Sequence, residues 1–280
     1  MQPIGVFDSG VGGLSVLQSL RAELPREDIV YLADSAHAPY GERAEAFVVQ
    51  RALAVTGRLR TEHRIKALVV ACNTATAAAI HALRAAYPGL PIVGVEPALK
   101  PATRTSRTRR IGVMATRRTL ESTKFQILLD SLACEADFVL QPCDGLAHAV
   151  ETDDEAQTIA LCQQHTGAMG RFGSAPGEID TVVLGCTHYP FARTHLQRML
   201  GPQVQLIDTG EAVARQTRVL LEDKGKLAPE GAEPGVVTLL ATGDAGRLRD
   251  AAARWLTEPC QPAAPAGAAQ SPAPLPCSLQ

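Results

Sequence analysis

The sequence predicts an α/β protein built on mainly parallel sheets in two domains, on two observations. Apolar runs rich in β-branched residues alternate with stretches of helical spacing, which is the strand–helix–strand grammar of a parallel sheet. One run, 67–71, ends at Cys72-Asn73-Thr74, and a second, 181–184, ends at Gly185-Cys186-Thr187-His188. Ligands of open α/β sheets bind beyond the carboxyl ends of the strands. Two such ends, one on each side of a small molecule, place one thiol on each of its faces.

Taken in order, residues 4–7 read as a first strand that runs into Asp8-Ser9-Gly10-Val11-Gly12-Gly13, with Leu14, Leu17 and Leu20 opening a helix behind it. This unit resembles an anion site at a helix N-terminus. The glycines miss the dinucleotide pattern, because the residue three after Gly12 is Ser15, and a small carboxylate is the better guest. Asp8 is either a cap for that helix or a functional group facing the crevice. Residues 29–33 form a second strand, ended by the turn signals of Pro39-Tyr40-Gly41, where Tyr40 and the Gly41 amide are candidates for a substrate carboxylate. A helix over 42–62 follows. The third strand, 65–71, leads to an Ala-rich helix over 75–86, with Asn73, Thr74 and Thr76 as N-cap candidates. Residues 92–95 are a fourth strand.

Lys100, Arg104, Arg107, Arg109 and Arg110 then crowd between Pro97 and Ile111. Without interleaved aromatics this reads as a solvated crossing segment rather than a nucleic-acid patch, and it marks a domain boundary. A second α/β series begins with a strand at 111–115. Thr116 caps a helix carrying Leu120, Lys124, Ile127, Leu128 and Leu132, and a strand follows at 138–141. Glu151 opens an acidic run that reads as a solvated helix start, of interest only if it turns into the crevice. Residues 167–177 read as a flexible connection. After the strand ending at Cys186, Pro190 and Phe191 open a helix containing Leu196, Met199 and Leu200, residues 204–207 are a strand, Asp208-Thr209-Gly210 opens another helix, 236–240 is a late strand and 246–256 a final helix with Trp255. The Pro/Ala-rich tail, 257–280, is expected to be flexible.

Composition excludes some functions. A chain of 280 residues, 46% hydrophobic and 20% charged, can bury a substantial core. Lys and Arg number 27 against 29 Asp and Glu, a formal charge of −2 that gives no pull toward nucleic acid or anionic membrane. No apolar run reaches the roughly 18 residues of a membrane span, and no basic leader precedes the first strand, so a cytoplasmic location is expected. The seven cysteines form no CxxC pair and are expected to be reduced thiols. Cys134 and Cys162 read as small core or surface residues, and Cys260 and Cys277 fall in or beside the tail.

A free thiol ionises near pH 8.5, and a helix start or neighbouring cation favours its thiolate. Cys72 and Cys186 both precede helix starts, His188 lies two residues beyond Cys186, and Asp8 is the group that could serve Cys72. Deprotonating an α-carbon usually draws on an electron sink such as pyridoxal phosphate. The lysines offer no strand-end Schiff base: Lys66 is the one near a motif, and it lies at the wrong end of its strand. No cofactor is therefore expected, and positioned donors must carry the charge while one thiolate takes a proton and the other thiol returns one. Other readings stay open at this point. A Cys–His hydrolase needs one thiol and a distant histidine. Zinc on Cys72, Cys186 and His188 lacks a fourth ligand and diagnostic spacing, and no metal is expected. Two structural cysteines in a small-acid or protein-binding module is the plainest alternative.

The opening motif 7–16, Pro39-Tyr40-Gly41, Ala71-Cys72-Asn73-Thr74-Ala75-Thr76, the 112–116 strand end and the segment 184–190 together resemble glutamate racemases in order and spacing. The resemblance implies two similar α/β domains facing across a buried cleft, with interconversion of L- and D-glutamate without pyridoxal phosphate and supply of D-glutamate for peptidoglycan. It makes Cys72 the thiol acting on D-glutamate, assisted by Asp8, and Cys186 the thiol acting on L-glutamate, assisted by His188 and Glu151. Ser9, Tyr40, Gly41, Asn73, Thr74 and Thr187 match substrate-binding positions. It also implies that residues 1–96 and 209–256 form one discontinuous domain, with 97–208 inserted as the second. Glutamate is then the small-molecule partner. A homodimer, a regulatory cell-wall precursor and a contact with DNA gyrase are further family traits on which the composition is silent.

Overall fold

In the computed structural model, which describes residues 1–256 and the backbone of 261–265, two wholly parallel sheets carry the fold. The first holds β1 (Ile4–Asp8), β2 (Ile29–Ala33), β3 (Ala67–Val70), β4 (Ile92–Gly94), β9 (Val237–Ala241) and β10 (Gln261–Pro265), in the order β10-β9-β2-β1-β3-β4. The second holds β5 (Arg110–Ala115), β6 (Asp137–Pro142), β7 (Thr181–Leu184) and β8 (Gln205–Ile207), in the order β6-β5-β7-β8. The chain thus leaves the first sheet after β4, builds the second, and returns at β9. Strands β1, β2, β3 and β7 are buried along their whole length, which is why they read as unbroken apolar runs.

Register sets the site. In β1, Phe7 lies opposite Val70 and Asp8 opposite Ala33, so the chain leaves β1, β2 and β3 at one level as Asp8, Asp34 and Ala71-Cys72. In the second sheet Met114 lies opposite Leu184, so Thr116 and Cys186 leave a common edge as well.

Helices cover both faces of the first sheet. Ile4 and Val6 pack with α1 (Leu14–Glu23), α10 (Gly210–Asp223) and α11 (Ala245–Trp255) on one side. Phe7 turns to the other side, onto α2 (Glu45–His63) and α3 (Asn73–Ala86). That alternation is the strand period of two. Helix α1 has no side-chain cap at Gly13, a loss of about 0.3 kcal/mol. Burial of Leu14, Leu17 and Leu20, at about 2 kcal/mol each, outweighs it. The second sheet is covered by α4 (Leu99–Thr105), α5 (Arg117–Glu121) and α6 (Thr123–Asp130) on one side, with α7 (Leu146–Glu151), α8 (Glu155–Gly167) and α9 (Arg193–Leu200) on the other.

The structure departs from the expectations at identifiable places. The single helix expected after Thr116 is two, because Ser122 is extended (φ −69°, ψ 139°) and its hydroxyl caps the Phe125 N–H. Leu132 is buried beyond the helix end. The cap of α3 is the Cys72 sulfur, which accepts from the Ala75 N–H, and not Asn73 or a threonine. Helix α7 was not anticipated, and it carries Glu151 at its end rather than in a solvated run; Asp154 caps the next helix instead. In the tail, residues 261–265 pair in parallel with β9, against the expectation of a flexible segment. Residues 257–260 and 266–280, with Cys260 and Cys277, lie outside the described residues. The basic segment is α4 and its following turn, with Leu99 and Ala102 buried and Lys100, Arg104 and Arg107 exposed. Asp180 fastens it by accepting from Ser106 Oγ and the Arg107 and Thr108 N–H groups. Among the described residues no helix is long and apolar enough to cross a membrane.

At the edge of the first sheet away from the site, Lys66 Nζ lies 2.5 Å from Glu27 Oε2, with both side chains buried. Removing one partner of such a pair strands the other's charge. Lys66→Ala should therefore lower unfolding stability by about 3 kcal/mol, read from the urea midpoint at constant m-value.

Candidate active site

The two sheets face each other with their carboxyl edges. Between them lies a narrow cavity whose walls come from both. Ser9, Tyr40, Gly41, Cys72, Asn73 and Thr74 line it from the first sheet, and Cys186, Thr187 and His188 from the second. Nine of the eleven residues singled out in the sequence therefore meet in one cavity. The other two stand directly behind it.

Asp8 is one of these. It is fully buried; its Oδ2 accepts from the Gly13 N–H at 2.7 Å, and its Oδ1 has no partner. The carboxyl thus holds the loop that enters α1 through one oxygen and leaves the other unengaged. Burial pushes the carboxyl above its ordinary range; the positive charge on His188 pulls back, and the Glu151 charge adds to the rise. Cys72 is buried, accepts from the Ala75 N–H at 3.4 Å and lies 3.9 Å from Ser9 Oγ. Burial, then the Asp8 charge, raises its thiol well above the usual range. Like charges disfavour joint ionisation, so Asp8 and Cys72 each resist the other's negative charge.

Glu151 is the other. Its Oε2 accepts from His188 Nε2 at 2.7 Å and from the Val11 N–H of the Gly-rich loop at 2.9 Å. The small carboxylate expected at that loop is thus the chain's own, brought by the second sheet. The loop must be bare to receive it: a Cβ on Gly10 would stand 2.2 Å from Glu151 Oε2, and one on Gly12 2.3 Å from His188 Nδ1. Burial pushes Glu151 up, but the hydrogen bond and charge of His188 outweigh it and hold the carboxylate below its ordinary range. For His188, burial works against the charged ring, yet hydrogen bonds and charges from Cys186 and Glu151 hold it well above the usual histidine range. Its Nδ1 lies 3.7 Å from the Cys186 sulfur. A protonated ring beside Cys186 supplies a countercharge for a thiolate.

The sheets are tied across the cavity rim. Ser15 Oγ donates to the Thr187 carbonyl at 2.9 Å, and Thr74 Oγ1 lies 3.2 Å from Thr116 Oγ1. Trp255 of α11 stacks on Phe191, three residues beyond His188, at 3.7 Å between ring centroids.

Nine further residues line the cavity, Arg117, Asp144 and His148 among them, and two of the nine bear on the chemistry. Thr116 lines the wall opposite Thr74, and Cys143 is a third buried thiol there. Thr116 could have been found by the strand-end rule that found Cys186, since it follows β5. Cys143 has no histidine beside it; its sulfur lies 3.4 Å from the Gln141 carbonyl, and burial, then Cys186, raises it. Among the described residues no group of His, Cys, Asp and Glu is arranged to hold a metal. Lys66, engaged with Glu27, takes no part in the site.

A parallel two-sheet fold with thiols from both sheets at one cavity defines a class, and comparison with known proteins agrees with it. The chain belongs to the Asp/Glu/hydantoin racemase family, whose pattern matches residues 4–217. Within that family its likeness is to glutamate racemases. It is 48% identical to the glutamate racemase of Pseudomonas syringae pv. tomato over 228 residues, 81% of each chain. A glutamate racemase isoform of Bacillus anthracis superposes with a TM-score of 0.82 at 32% identity, covering 95% of this chain and 97% of that one. The Escherichia coli glutamate racemase, solved with L-glutamate and the activator UDP-MurNAc-Ala, superposes with a TM-score of 0.79 at 32% identity, over 91% of this chain and 96% of that one.

Replacing Glu151 by Gln removes a charge that favours the imidazolium, so His188 should titrate at lower pH than in the parent, read from the pH dependence of its ring nitrogens by NMR. Gly12→Ala should cost at least 10²-fold in turnover, since the new methyl displaces His188 from Cys186, with circular dichroism showing an intact fold.

Proposed function

We propose that this chain is a cofactor-independent glutamate racemase that supplies D-glutamate for peptidoglycan synthesis, working by two bases. The observation that carries the reading is one cavity lined by Cys72 from the first sheet and Cys186 from the second. With D-glutamate, the Cys72 thiolate takes the α-proton and the Cys186 thiol returns one to the opposite face; with L-glutamate the roles exchange. The family relationship supports the substrate and the pairing of each thiol with one enantiomer, and the geometry supports one thiol from each sheet.

Asp8 assists Cys72 in this scheme. A bound substrate brings an ammonium group, and the free Asp8 Oδ1 and the Cys72 sulfur are the acceptors it would find on that side. The favourable interaction lets the pair carry the second negative charge that burial opposes. His188, supported by Glu151, holds the countercharge for Cys186. Ser9, Thr74 and Thr187 bring hydroxyls to the wall, and Asn73 brings a buried Nδ2 without a partner, a ready donor to a carboxylate. Gly41 and Tyr40 close the wall with their backbone. The domains in this reading are 1–96 with 209–256, and 97–208, and the protein works in the cytoplasm.

The test is proton NMR in D2O with L-glutamate and, separately, D-glutamate, with thiols reduced and no pyridoxal phosphate added. Loss of the α-proton signal from both, converging on equal amounts of the two enantiomers, is the expected result. Retention of both α-protons would rule the reading out. Cys72→Ser and Cys186→Ser should each lower kcat by at least 10³-fold in both directions, since either thiol is needed for a full crossing. Aspartate in a parallel sample reports on side-chain length.

A further inference from the structure

Asp34 takes no part in the chemistry described above, yet it is among the most heavily engaged side chains in the molecule. It leaves the carboxyl end of β2 and is wholly buried. Arg51 of α2 grips it twice, Nε on Oδ2 and Nη2 on Oδ1, each at 2.9 Å. Thr242 Oγ1, from the loop after β9, donates to Oδ1 at 2.9 Å, and His37 Nδ1 lies 3.0 Å from the same oxygen. The Tyr40 hydroxyl donates to Oδ2 at 2.5 Å. Five contacts from four segments fix the position of this carboxylate.

Tyr40 is the contact that reaches the reaction. Its ring is buried, and Tyr40 and Gly41 form part of the cavity wall. Its hydroxyl is spent on Asp34, so it is not a free donor to a substrate. Burial and the Asp34 charge both keep that phenol protonated and donating. The loop is short, residues 35–37 and 40–42 being single 3₁₀ turns joined through Pro39. The Ala36 N–H on Thr242 Oγ1 and the packed Tyr40 ring also hold it, and the Tyr40 hydroxyl bond ties it to the buried Asp34 charge.

We infer that Asp34 is a positioning residue for the reaction: clamped by Arg51, it anchors the Tyr40 hydroxyl and thereby sets the Tyr40-Gly41 wall against which the substrate is held. This rests on the racemase reading of the cavity. An anchor of this kind serves ground state and transition state alike, so its loss should appear in KM and leave kcat nearly unchanged. A residue that merely supported the fold would lower the melting temperature or the active fraction and leave KM where it was.

The cleanest variant is Tyr40→Phe, which removes the tether and keeps the Asp34–Arg51 pair. Its KM for both enantiomers should rise about tenfold, with kcat within about twofold of the parent. Asp34→Asn should raise KM at least as much, and the double variant should resemble Asp34→Asn alone, because the two residues act as one unit. Parent protein that racemises glutamate, with an unchanged KM in Tyr40→Phe, overturns the anchor and leaves the racemase reading intact. Parent protein that leaves glutamate untouched overturns both. Additive effects in the double variant would likewise overturn the claim that Asp34 acts through Tyr40.

Discussion

The contact of Glu151 with the Gly-rich loop is the constraint on which the rest of the site depends. A carboxylate from the second sheet sits on a backbone N–H of the first, and its same oxygen holds His188. That one oxygen joins the two halves of the site, beside the Ser15–Thr187 and Thr74–Thr116 contacts, and orients the charged ring next to Cys186. It works because Gly10 and Gly12 leave no side chain in the way. A charge-assisted hydrogen bond in a buried setting is stronger than its exposed counterpart.

The two thiols are not equivalent. Cys186 faces a ring held in its charged form, whereas Cys72 faces a buried carboxyl that opposes its ionisation. In the proposed reaction the missing cation on the Cys72 side arrives with the substrate. The two sides of the cavity therefore differ in charge, with an imidazolium beside one thiol and a buried carboxyl beside the other. Since the two enantiomers are equal in energy, kcat/KM must match in both directions, and the inequality of the thiols can show itself only in how kcat and KM divide.

Much of this was legible from the chain. Strand positions and the two cysteine-bearing edges follow from apolar runs that stop at polar residues, because a strand buried on both faces tolerates little else. Glu151 was the least legible member of the site. Its neighbours Asp153, Asp154 and Glu155 make an ordinary solvated run, and only the short helix α7 turns it inward. Its partner, the Val11 N–H, is 140 residues away, a distance no local pattern encodes. The break at Ser122 was hidden for the opposite reason: apolar spacing continues through it, and a local hydroxyl cap decides the matter. Thr116 was read as a helix cap, which it is, and its place in the cavity wall comes from the meeting of two sheets.

The central claim is that one substrate carbon lies between two thiols delivered by two sheets. A crystal structure of the protein with D-glutamate tests it most directly. The account predicts the Cys72 and Cys186 sulfurs on opposite faces of the α-carbon, with the amino group toward Asp8 and a carboxylate on Asn73. Glutamate bound with both sulfurs on one face, or with its α-carbon out of reach of either, would contradict it.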